Sequence, residues 1–253
     1  MKQSYQDAIA FYGIDGAHPG GFQLTKQLLL DEKITPYTKV LDAGCGTGQT
    51  SAYLARTFSC QVYALDQHPD MLKRAKTKFK QEHLPIHLIQ GSLEKLPFSD
   101  HFFDLIVAES STAFTNIPKA LNEYARVLKP NGVLLTIDMT AEPQLELEAK
   151  TELIQFYEIK DLLTEKEWLQ AFKRSGFKQI QILKANTVLN ELMNIELDVN
   201  EGYAPPSFST DPSLEHIILT HQNLTLSYGD RLGYRVFRAG KIDLPYQPHK
   251  TNS

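Results

Sequence analysis

The chain has 253 residues, 42% of them hydrophobic, and a formal charge of −4. That is enough for one large domain with a buried core, and it lacks the basic excess with which proteins usually meet nucleic-acid phosphates. The two cysteines, Cys45 and Cys60, form no CxxC pair and join no histidine cluster, so neither a zinc site nor a disulfide framework is expected.

The N-terminal MKQSYQDAIAF has no apolar signal core, and the chain has no run of about 18 apolar residues. The expected location is cytoplasmic, with no membrane span. A helix is predicted over residues 4–12, then a glycine-rich turn (GIDGAHPGGF, residues 13–22), then a second helix over 22–32. Residues 1–37 are expected to act as a helical lid. Phe11, Tyr12 and Phe22 in this part, with Phe156 and Tyr157 further on, are candidates to roof a pocket or simply to pack their helices on the core.

From residue 39 to 182 short apolar runs alternate with helical patterns. KVLDAG, QVYAL, PIHLIQ, FDLIVA and GVLLTID read as strands covered on both faces. Between them, Leu121, Tyr124, Ala125 and Leu128 fall on one helical face, as do Met71, Ala75 and Phe79. Residues 141–163 read as a charged helical stretch. Thr164 and Glu167 then predict a capping box for a helix over 165–175, stopped by Gly176. FKQIQIL (177–183) alternates as a strand with one wetter face. Residues 184–231 are expected to be a helical insertion, containing a Pro- and Ser-rich loop at 203–213 and a helix that starts at Asp211 and Pro212. GYRVFRAG (233–240) reads as a last strand, antiparallel to its neighbours, before a loose tail from Leu244. Strand–helix alternation of this kind predicts a doubly wound, mostly parallel α/β sheet. The organisation expected is one domain: residues 1–37, a cofactor-binding core at 38–183, the insertion at 184–231, and the last strand and tail at 232–253.

VLDAGCGTGQT carries the strongest chemical signal. A strand runs into Gly44-x-Gly46-x-Gly48 and a helix starts directly after. Glycines there permit a sharp turn and close approach of a ligand to the backbone. Asp66, at the end of the second strand, lies 20 residues beyond Gly46, the spacing at which a carboxylate accepts from both ribose hydroxyls. The alternative for Asp66 is a helix N-cap. Asp42 stands just before the first glycine, where it would repel a pyrophosphate but tolerate a cofactor carrying an ammonium and a sulfonium. The GxGxG spacing and Asp42 therefore disfavour a nicotinamide-dependent dehydrogenase.

VLDAGCGTG, ALDQHPDML, QGSLEKLPFSDHFFDLIVAES and YARVLKPNGVLLTID together resemble successive motifs of the class I S-adenosylmethionine-dependent methyltransferases. The resemblance is to the small-molecule branch akin to the ubiquinone and menaquinone biosynthesis enzymes. It covers residues 38–138 strongly and the helix and strand over 165–183 more loosely, and it implies a seven-stranded sheet. It implies S-adenosylmethionine as cofactor, with S-adenosylhomocysteine as product. Asp42, Gly44, Gly46 and Gly48 would line the methionine end. Asp66 would bind ribose, with Gln67 and Met71 flanking ribose and adenine, and Ser92 and Leu93 would lie at the adenine edge. Family members often carry an acid where Ser92 stands, and Met71 could equally be a core residue.

Methyl transfer from a sulfonium is an in-line displacement that positioning and a dry pocket can accelerate without any base. Glu109 follows the fourth strand and is the candidate catalytic residue, as a base or as a partner for a cationic acceptor. It could instead bond nearby backbone or the cofactor. His18 is a candidate loop residue over the cofactor, or a structural histidine. ESST after the fourth strand is not the motif of amino-group nucleic-acid methylases. No Pro-Cys nucleophile is present, and two cysteines do not suffice for arsenite methylation. The expected partner is a small-molecule acceptor, not nucleic acid. A protein that binds S-adenosylmethionine without methyl transfer is the second reading.

Overall fold

The computed structural model describes residues 3–13, 18–194 and 211–242. Part of the glycine-rich turn, residues 203–210 of the Pro- and Ser-rich loop, and the tail from Leu244 lie outside the described residues.

Seven strands form one sheet: β1 (Lys39–Ala43), β2 (Gln61–Asp66), β3 (His87–Gln90), β4 (Phe103–Glu109), β5 (Leu128–Ala141), β6 (Gln179–Thr187) and β7 (Leu232–Gly240). Their order is β3-β2-β1-β4-β5-β7-β6. β1 to β5 run parallel, and β7 is antiparallel to both β5 and β6, as the sequence predicted for the last strand. The order reverses between β1 and β4, which opens a crevice at the carboxyl ends of these strands.

Apolar residues on both sides of each central strand explain the two helical layers. Leu41, Ile106, Leu134 and Phe237 face α5 (Ile117–Val127) and α7 (Glu165–Arg174), whose Trp168 and Phe172 are fully buried. Val40, Val62, Val107 and Leu135 face the other layer, with Leu29 of α2 (Gly21–Leu30) and Leu54 of α3 (Gln49–Phe58). α4 (Pro69–Gln81) adds Ala75 and Phe79 beside Ala64. The Trp168 indole N–H donates to the Met139 carbonyl at 3.1 Å, so its one polar group is satisfied in the core.

Local chemistry sets the helix ends. Thr164 and Glu167 form the expected capping box, and Gly176 takes φ +92° just past the helix. α1 (Tyr5–Tyr12) begins with a second capping box, Ser4 with Asp7.

Two expectations are corrected. The stretch over 141–163 is helical only in α6 (Leu147–Tyr157). β5 continues through Ala141, whose N–H bonds to the Leu163 carbonyl, and Glu158 at φ +56° ends the helix. The insertion begins later than residue 184, because β6 pairs with β7 as far as Thr187. Helix α8 (Val188–Asn194) and helix α9 (Pro212–Tyr228) follow. α1, α6 and α9 meet through Tyr5, Phe156, Tyr157 and His221.

Candidate active site

The glycine turn is pinned to β2: the Gly44 and Cys45 N–H groups both donate to the Leu65 carbonyl, at 2.8 and 2.9 Å. Its glycines serve different ends. At Gly48, φ is +85° and a Cβ would stand 2.5 Å from the Phe79 ring, so this position exists to let α4 pack against the turn. At Gly44 a Cβ would meet Ser111 at 2.4 Å. At Gly46, φ +52°, the nearest atom to a Cβ is the Met71 sulfur at 4.0 Å. No protein packing requires glycine there, so the open side of Gly46 is a cradle a ligand can approach.

Asp66 closes one side of this cradle. Its carboxylate accepts from the Gly46 N–H at 2.9 Å and from the His68 N–H at 2.8 Å. It is not the side-chain cap of α4, whose N-cap is His68. Two bonds leave lone pairs on a carboxylate for ribose hydroxyls. Met71 is half-buried beside Gly46, and Gln67 is exposed on the turn after β2. After β3, Ser92 is exposed and its hydroxyl accepts from the Glu94 N–H at 3.2 Å, while Leu93 is buried in the core cluster against the α5 layer.

Asp42 is 2% exposed and accepts from the Ser51 hydroxyl at 2.5 Å. Burial, then the charge of Glu109 and, more weakly, that of Asp66, push its carboxyl up to about 7. The donor set thus suits a cation: Asp42, Asp66 and Glu109 bring three carboxylates to one turn. A cofactor with an ammonium and a sulfonium fits this chemistry, whereas a second anionic phosphate would add to the repulsion.

Glu109 is held by neighbouring side chains. It accepts from the Thr50 hydroxyl at 2.6 Å and from the Thr25 hydroxyl, and His18 Nε2 stands 3.4 Å from it. The His18 and Glu109 side chains are 5% and 12% exposed, so His18 is not a solvated loop histidine. Ser110, next in the chain, holds φ +51°, and its N–H donates to the Ile137 carbonyl at 2.7 Å. A non-glycine residue held there marks an over-determined turn. Ser111 donates to the Ala43 carbonyl at 2.6 Å, joining the ends of β1 and β4.

The aromatic candidates divide. Phe22 packs edge-on against Tyr53 of α3, and Phe11 is half exposed beside Tyr12. Phe156 and Tyr157 gather with Tyr5 and His221, where the Tyr157 hydroxyl lies 2.9 Å from His221 Nδ1. α1 reaches from this cluster to the cofactor side: Asp7 lies 3.1 Å from His68 Nε2, and Arg74 of α4 donates to the Phe11 carbonyl. Thr25, Thr50, Ser51 and Asp7 were not singled out by sequence, whereas Ser111 was expected at the pocket with Glu109 and Ser110 because all three follow the fourth strand. The only available signal was hydroxyls in the first turn of the helix after the glycines.

A doubly wound sheet whose glycine turn lies against a carboxylate at the end of the next strand is the frame of a nucleoside-cofactor enzyme. The chain belongs to the S-adenosylmethionine-dependent methyltransferases, and its cofactor is S-adenosylmethionine. A methyltransferase-domain family model matches residues 41–136. The uncharacterized methyltransferase YodH of Bacillus subtilis is 34% identical over 237 residues, covering 94% of this chain and 99% of the relative. Among solved structures, phosphoethanolamine N-methyltransferase 2 of Haemonchus contortus, in complex with phosphomonomethylethanolamine and S-adenosylhomocysteine, superposes with a TM-score of 0.75 at 20% identity. That match covers 93% of this chain and 57% of the other. Geranyl diphosphate C-methyltransferase of Streptomyces coelicolor gives a TM-score of 0.65 at 16% identity, over 87% and 79% of the two chains. Among the described residues no group of His, Cys, Asp and Glu could hold a metal ion, and no helix is long and apolar enough to cross a membrane.

Proposed function

We propose that Asp42, Gly44, Gly46, Gly48, Asp66, Gln67, Met71, Ser92, Leu93 and Glu109 surround S-adenosylmethionine, with Asp66 on the ribose and Asp42 and Glu109 toward the methionine end. The observation that carries this reading is the open side of Gly46 beside the Asp66 carboxylate. The bound cofactor supplies a methyl group on a positively charged sulfur. The chain's part is to orient that group, exclude water and hold the acceptor in line.

The acceptor is a small molecule that enters beside the ends of β4 and β5, under α1, α6 and α9. Solved relatives with this fold hold partners as different as a phosphorylated amine and an isoprenyl diphosphate, so the fold alone does not choose the attacking atom. Proximity carries the chemistry in this reading. Glu109 is held by Thr25 and Thr50, the latter directly behind the glycine turn, and its charge acts on Asp42, which favours a cofactor-side role for Glu109 over that of a base. Calorimetric titration with S-adenosylmethionine, S-adenosylhomocysteine and NAD tests the site: the first two bind and NAD does not. Methyl release across a metabolite panel then separates transfer from mere binding. Tight NAD binding would overturn the cofactor assignment.

A further inference from the structure

Glu109 accepts hydrogen bonds from two helices, and a third segment of the chain places His18 beside it. Thr50 lies in the first turn of α3, directly behind the cofactor glycines. Thr25 belongs to α2 and is 1% exposed. Its single hydroxyl proton goes to Glu109 Oε1. His18 comes from the segment before α2. Its Nε2 stands 3.2 Å from the Thr25 hydroxyl and 3.4 Å from Glu109 Oε1. Its Nδ1 lies 3.2 Å from the Pro19 carbonyl, which can only accept. The backbone of His18 is used as well: its carbonyl takes the Gly21 N–H at 3.0 Å, closing a turn in which Gly20 and Gly21 both have positive φ.

This is more than a buried carboxylate needs for satisfaction, since a hydroxyl from α3 and solvent at its exposed edge could serve. The additional contacts, a hydrogen bond from Thr25 and the proximity of His18, both come from the N-terminal segment. The same carboxylate acts on the methionine end, because its charge helps hold the Asp42 proton. The N-terminal segment and the cofactor turn therefore share one anchor.

We propose that His18 and Thr25 are positioning residues for methyl transfer, which clamp residues 18–25 against the cofactor turn by binding Glu109. The proposal rests on the cofactor reading above. The clamp keeps the wall of the methionine end in place while the cofactor is bound. Loosening it should speed cofactor escape before it alters encounter.

The test is the dissociation rate of S-adenosylhomocysteine and of S-adenosylmethionine, measured by surface plasmon resonance on the whole chain. Thr25→Val keeps the shape and removes the hydroxyl, and His18→Gln removes the ring. Each should raise the dissociation rate roughly tenfold, the scale of one lost hydrogen bond to a charged group, with the association rate little changed. Thr25→Ser should restore the wild-type rate. In a Glu109→Gln background, Thr25→Val and His18→Gln should add less than about twofold, because the anchor is already altered. If Thr25→Val fails to fold, His18→Gln in the two backgrounds decides alone. Unchanged dissociation in the single variants overturns the clamp, and so do losses that multiply in the double variants. Failure of the wild-type chain to bind either compound would instead overturn the cofactor reading itself.

Discussion

The Gly46 N–H donates to the Asp66 carboxylate at 2.9 Å, across 20 residues of chain and from one strand end to the next. This bond fixes the acid at the edge of the one glycine of the Gly44–Gly48 turn whose missing side chain is not crowded by packed protein atoms. The turn and the acid are thus tied into a single unit.

The two glycines of that turn should fail differently. Gly46→Val should abolish S-adenosylmethionine binding, since it fills the cradle, at a modest stability cost from the positive φ. Gly48→Ala puts a Cβ into the Phe79 ring and should cost about 1–3 kcal/mol of stability by overpacking. Urea unfolding and calorimetry on both variants separate the two roles. Equal loss of stability in both would contradict the division.

Asp66→Ala should weaken S-adenosylmethionine binding by about 1.5–3 kcal/mol, the scale of hydrogen bonds to a charged group. The measurement is a titration of the folded variant. Wild-type affinity would remove Asp66 from the site.

Cofactor affinity should depend on pH through Asp42. Its carboxyl is raised to about 7, by burial first and then by the charge of Glu109. A cation favours the ionised form, so binding releases a proton, and affinity should rise between about pH 6 and pH 8. Glu109→Gln removes a charge that raises Asp42, so the rise should begin at lower pH. A flat profile in both proteins would show that Asp42 does not sense the cofactor.

Asp138, at the end of β5, should make stability pH-dependent in a definite direction. It is fully buried, and burial, offset in part by the neighbouring Thr136 hydroxyl, pushes it up to about 7. Because the folded value is raised above the 3.8 of an ordinary aspartate, the folded state holds a proton that the unfolded chain releases. Stability should therefore fall as pH rises from about 4 to about 7, by a few kcal/mol on the scale of such shifts. Asp42 contributes with the same sign. Asp138→Asn should flatten the fall, as read from urea midpoints at acidic and alkaline pH. Parallel profiles for the two proteins would count against a buried, protonated Asp138.

Much of this was legible in the sequence because its signals are local. The apolar runs of β1, β4 and β5, the glycine spacing and the Thr164–Glu167 box each depend on neighbours a few residues away. The α6 boundary was misread because the charged residues around it suit either a helix or an exposed loop, and β5 pairing with β7 decides where the strand ends. The donors around Glu109 were invisible for a different reason. Thr25 and Thr50 lie 84 and 59 residues from it in sequence, and single hydroxyls carry no periodicity. Only the packing of α2 and α3 on the sheet brings them together.

The central claim is that Gly46 and Asp66 form the seat of S-adenosylmethionine, and a crystal structure with S-adenosylhomocysteine tests it most directly. The account predicts the ribose hydroxyls within hydrogen-bond distance of the Asp66 carboxylate and the cofactor backbone passing the open side of Gly46. A nucleoside bound elsewhere, with Asp66 still held only by the Gly46 and His68 N–H groups, would contradict it.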